Sequence, residues 1–97
     1  MALYPNGPTP YGNATALGIT APTVVKAAPG VLVTVNVIVA GSAAGAIYDA
    51  TSTSGNSAAN QVAPILATAG TYAVKMPCAN GIVVAPGTGQ TVAISYD

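Results

Sequence analysis

A chain of 97 residues, 52% apolar, with two basic and two acidic side chains and no histidine, is long enough for one domain with a real core and carries no net charge. Two lysines form neither the basic stripe that neutralises a run of phosphates nor a patch that holds an anionic membrane, which argues against nucleic-acid and membrane partners. Abundant Val, Ile, Thr and Ala with so little charge argues against disorder, and near-zero net charge favours association, so a folded protein with protein partners is expected.

Residues 1–18 differ in kind from the rest: Tyr4, Pro5, Asn6-Gly7, Pro8, Pro10, Tyr11, Gly12 and Asn13 make a Pro/Gly/Asn-rich tract with spaced aromatics. It reads as a frayed terminus or as an extended arm, stiffened by proline, that orders on a partner through Tyr4, Pro5, Pro8, Pro10 and Tyr11. The tract lacks the positive and continuous apolar regions of a secretory signal, so the protein is expected to stay where it is made or to leave inside something larger.

Residues 19–97 read as the folded domain. PTVVKAA at 22–28 reads as a strand, stopped by Pro29-Gly30, a turn pair. In VLVTVNVIV at 31–39 valine recurs at every second position, which is a strand period; Thr34, Asn36, Gly41, Ser42 and Gly45 interrupt the stretch too often for a membrane-spanning helix. The valine face points to a core, while Leu32 and Ile38 on the opposite face suggest that a partner covers that side, which makes them candidate interface residues. GAIYDA at 45–50 is a third strand, and the polar loop 51–60 follows.

QVAPILA at 61–67 is a strand whose Pro64 belongs at a sheet edge or bulge. TYAVKM at 71–76, GIVVA at 81–85 and TVAISY at 91–96 complete the set, separated by the turn signal Asn80-Gly81 and by PGTGQ, read as a hairpin turn. Seven to eight short strands at roughly ten-residue spacing, with no amphipathic helix, predict an all-β sandwich or small barrel, jelly-roll or immunoglobulin-like.

Catalytic chemistry is sparse. No histidine can serve a nucleophile, one cysteine and two aspartates cannot build a metal site apart from a weak carbonyl-rich cation site, and GTG at 87–89 lacks the ending and helix of a phosphate loop, so no enzyme, cofactor or metal is expected. Cys78, beside Pro77, reads as a small buried hydrophobe. Lys26 and Lys75, each inside an apolar strand, read as solvent-facing guards of sheet edges or as partners of Asp49 in an ion pair.

The stretch VVKAAPGVLVTVNVIVAGSAAGAIYDA, with the later ATAGTYAVKMPCANGIVVAPGTGQTVAISYD, resembles the small virion proteins of tailed bacteriophages, capsid decoration or cement proteins foremost. The resemblance covers most of the chain from Val24 onward and lies in phrases such as KAAPG, IYDA and NGIVVAPGTGQ. It implies a homo-oligomer, dimer or trimer, bound to the major capsid protein on the outside of a virion made in the host cytoplasm. No catalytic or ligand residues are implied. The alternative from the same residues is a phage fibre or surface adhesion module that stacks Tyr48, Tyr72 or Tyr96 on a host glycan; a pilus- or membrane-associated subunit ranks behind it, and an enzyme last.

Overall fold

In the computed structural model of the chain, residue 12 and residues 14–97 are described. Among them lie eight strands: β1 (Ala14–Ile19), β2 (Thr23–Lys26), β3 (Gly30–Val39), β4 (Gly45–Tyr48), β5 (Gln61–Ile65), β6 (Gly70–Cys78), β7 (Ile82–Ala85) and β8 (Thr91–Tyr96). Two short 3-10 turns, Thr53–Gly55 and Ala58–Asn60, occupy the polar loop between β4 and β5. The end of the expected arm, from Ala14, belongs to a strand paired with β8.

Two four-stranded sheets form, in the orders β1-β8-β3-β6 and β2-β7-β4-β5, every pair antiparallel. The pairs β1·β8, β2·β7, β3·β6 and β4·β5 are those of one long hairpin whose arms are strands 1–4 and 5–8. Wound on itself so that β3 also meets β8 and β4 also meets β7, that hairpin is a jelly roll, which decides between the expected topologies. The sheets remain an open sandwich rather than a closed barrel. PGTGQ is accordingly no hairpin: it carries the chain from β7 in one sheet to β8 in the other, and the connection at Asn80-Gly81 likewise crosses between sheets.

The core fills the space between them. Ile19, Leu32, Val35, Val37, Cys78, Val92 and Ile94 come from one sheet, and Ile47, Ala63, Ile65, Ile82 and Val84 from the other. Burial of these β-branched and aliphatic side chains, at about 25 cal/mol per Å² of apolar surface, drives the sheets together. β7 is an unbroken apolar run because Val83 is buried as well, on the face away from the core, beside Val24 of β2 and Tyr48 of β4.

Leu32 corrects the reading of β3. Leu32 pairs with Tyr96 and Thr34 with the adjacent Ser95, so Val33 is an extra residue on β3. Side chains alternate with a period of two, and a bulge shifts that alternation by one. Leu32 thereby joins Val35 and Val37 in the core at 0% exposure, whereas Ile38 stands 59% exposed.

All four sheet edges are interrupted. β1 carries an extra residue between Ala16 and Ile19, with Gly18 at a φ of 64° and Leu17 turned outward. β2 is irregular between Val24 and Lys26, and β5 contains Pro64, which cannot donate a ladder hydrogen bond. On β6 the register slips between Ala73 and Met76, Lys75 adopts a φ of 54°, and Pro77 follows. Bulges, prolines and edge lysines all discourage the addition of a foreign strand.

Candidate interaction surface

The winding gives the sandwich two chemically different ends. One gathers the connections β2–β3, β4–β5 and β6–β7 and holds Lys26, Asp49 and Asp97. There the Lys26 Nζ donates to the main-chain oxygen of Asp97 at 2.9 Å, and Asp97 exchanges main-chain hydrogen bonds with Val31. Lys75 sits on β6 next to Met76, the partner of Leu32, in the same half of the molecule. Both lysines lie on edge strands, as guards of an edge would.

Asp49 ties this end together. Its Oδ1 accepts the N–H groups of Asn80 at 2.7 Å and Gly81 at 3.1 Å, and its Oδ2 accepts that of Ala79 at 3.0 Å. The expected ion-pair role gives way to the clamping of a loop. Partial burial alone would raise the carboxyl's pKa, but the N–H groups of Asn80, Gly81 and Ala79 outweigh it and hold the carboxyl below its ordinary 3.8. A group whose folded pKa is depressed contributes stability above its unfolded value and loses it as pH falls through the folded one. Unfolding free energy should therefore decline as pH drops below about 4, and Asp49→Asn should flatten that decline in denaturant titrations. Asp49→Ala should cost about 1 kcal/mol at neutral pH, near the low end for orphaned donors because water reaches the loop.

Cys78, at the end of β6, is buried in the core as expected of a small hydrophobe. Burial, and then the charge of Asp49, push its thiol pKa up, so it stays protonated at neutral pH.

The opposite end gathers residues 20–22, 40–44, 66–69 and 86–90, and no formally charged side chain occurs in any of them. Main-chain hydrogen bonds from Gly41 to Ala67 and from Ser42 to Thr88 lace the loops together. Gln90, at 1% exposure, completes the lacing: its Oε1 accepts the Gly87 N–H and its Nε2 donates to the Leu66 carbonyl, each at 2.6 Å. Around this hydrogen-bonded, neutral platform stand Ile38, Leu66 at 51% exposure and Val39 at 50%.

This end is the candidate interaction surface. Of the interface residues expected from sequence, Ile38 lies on it and Leu32 lies in the core; Tyr4, Pro5, Pro8, Pro10 and Tyr11 fall outside the described residues. Val39 and Leu66 were missed because each closes a strand-like apolar run and reads as core. Tyr72 packs against the core and donates its hydroxyl to the Pro64 carbonyl, which joins β6 to β5 across the open side of the sandwich. Among the described residues no cavity opens, no three metal-ligating side chains cluster, and no helix is long and apolar enough to cross a membrane. No family model, curated protein or solved structure matches the chain.

Proposed function

We propose that the chain is a non-enzymatic structural protein of a virion, a cement or decoration protein that binds the capsid exterior and stabilises contacts between major capsid subunits. The observation that carries this reading is the neutral end, where Ile38, Val39 and Leu66 stand exposed on loops fixed by Gln90. Such a surface docks without desolvating any charge, and a hydrogen-bonded platform loses little entropy on docking. The interrupted edges direct association to faces and loops rather than to strand addition. Repeated copies on one lattice then gain from multivalency what each contact lacks singly.

The jelly roll hosts both capsid and lectin domains, so the fold by itself does not choose between cement and adhesion. What favours cement is the state of the tyrosines: Tyr72 and Tyr96 pack against the core, and Tyr48 is half-buried. None is a free platform for a sugar ring.

The test is sedimentation velocity of the purified chain, with and without residues 1–18, alongside binding to capsids that lack the protein. A discrete dimer or trimer with capsid affinity is expected. Ile38→Lys combined with Leu66→Lys should leave unfolding free energy within about 0.5 kcal/mol, as for other surface changes. It should weaken capsid binding about tenfold or more, because each lysine would be desolvated on docking. A monomer with glycan affinity and no capsid affinity would replace this reading with the adhesion module.

A further inference from the structure

The β6–β7 connection contains Asn80-Gly81, the dipeptide most open to intramolecular imide formation, because glycine has no side chain to obstruct attack by its own nitrogen. In that reaction the Gly81 nitrogen bonds to Asn80 Cγ and loses its proton, and the Nδ2 departs as ammonia. Water then opens the ring to aspartate or isoaspartate.

Packing demands glycine at this point. A Cβ on residue 81 would lie 2.4 Å from the Ala50 carbonyl oxygen and 2.5 Å from that of Lys26. The turn thus places an asparagine, exposed to water, next to a glycine that cannot be replaced.

We propose that Asn80-Gly81 is a latent modification site, kept from imide closure in the folded protein by the carboxylate of Asp49. The nitrogen that would attack points its N–H at Asp49 Oδ1, 3.1 Å away, and the Asn80 N–H shares the same oxygen at 2.7 Å. Removal of the Gly81 proton would set a negative nitrogen against a carboxylate, which Coulomb repulsion opposes. The carbonyl oxygens of Ala50 and Lys26 also crowd the Gly81 Cα, which limits rearrangement of the turn. Once formed, the product does not return to the original turn: aspartate at 80 sets a second carboxylate against Asp49, and isoaspartate lengthens the backbone by a methylene within the three-amide clamp.

The experiment follows conversion at each asparagine by peptide mass spectrometry, with isoaspartate read by enzymatic methylation, in the full chain held in mildly alkaline buffer at physiological temperature. Asn6-Gly7, the same dipeptide in the same chain, is the internal reference. Native wild type should convert at Asn80 about tenfold or more slowly than the urea-unfolded chain, since reaction requires local opening. Asp49→Ala should raise the Asn80 rate toward the unfolded value without altering the Asn6 rate, and Asp49→Asn, which keeps an acceptor oxygen, should fall between. Gln90→Ala, destabilising at the opposite end, should leave Asn80 slow.

Three results would overturn the proposal. Native Asn80 could convert as fast as in urea. Asp49→Ala could leave the rate unchanged or lower it, the latter making the carboxylate a base that promotes attack. Gln90→Ala could accelerate Asn80 as much as Asp49→Ala does, which would trace protection to global stability.

Discussion

Gln90→Ala is expected to lower the unfolding free energy by about 3 kcal/mol, because it leaves two partly buried main-chain groups without partners and opens a cavity beneath them. The groups are the Gly87 N–H and the Leu66 carbonyl, which belong to different loops and are joined through the Gln90 amide. For a domain of this size the loss corresponds to roughly 12 to 24 °C in Tm. Gln90→Leu should recover part of the packing and little of the stability, since leucine fills volume but neither donates nor accepts. Urea titration of the three proteins decides the matter: equal stability of wild type and Gln90→Leu would show that the amide's two hydrogen bonds are dispensable.

Leu32→Ala is expected to cost about 3 kcal/mol, within the range for leucine truncated in a closed core. Ile38→Ala on the same strand should cost less than about 0.5 kcal/mol, as exposed sites do. The two side chains sit an even number of positions apart, so an unbroken strand would send both to one face with one fate. The bulge at Val33 separates them. Comparable losses at both positions would mean that no bulge shifts the alternation.

Local chemistry made much of this fold legible. Residues 91–96 alternate cleanly and form β8 over the same span, and the valine period marks β3 to within one residue. β1 escaped notice because Ala14 and Ala16 give a weak apolar period and Gly18 breaks it; pairing with β8 is what makes that segment a strand. The turn residues marked where the chain reverses but not which strands pair. Gly, Pro and Asn report permitted φ angles, whereas the choice of sheet depends on which apolar faces can cover one another.

The candidate interaction surface was legible only in part, for the same reason. Ile38 could be named from its strand alone, but Leu32 needed the register of β8 to be placed correctly. Gln90 sits at the end of a glycine-rich turn and passed for a turn residue. As one of only two glutamines in the chain, in a loop otherwise built of Pro, Gly and Thr, its long amide was the available signal that something nearby needed both a donor and an acceptor.

β8 lies between β1 and β3, so the strand that comes last in sequence fills the middle of its sheet. Until β8 has been made, β1 has no neighbour among the described strands and β3 has β6 alone, and the core lacks Val92 and Ile94. From the end of β3 at Val39 to the end of β8 at Tyr96 the chain, growing at about 5–20 residues per second, takes roughly 3 to 11 s, during which the valine-rich β3 is without β8. Closure of such distant pairings is slow, on the order of milliseconds to seconds. The nascent chain therefore spends its vulnerable period before β8 appears, when a strand from another chain could take the place reserved for it.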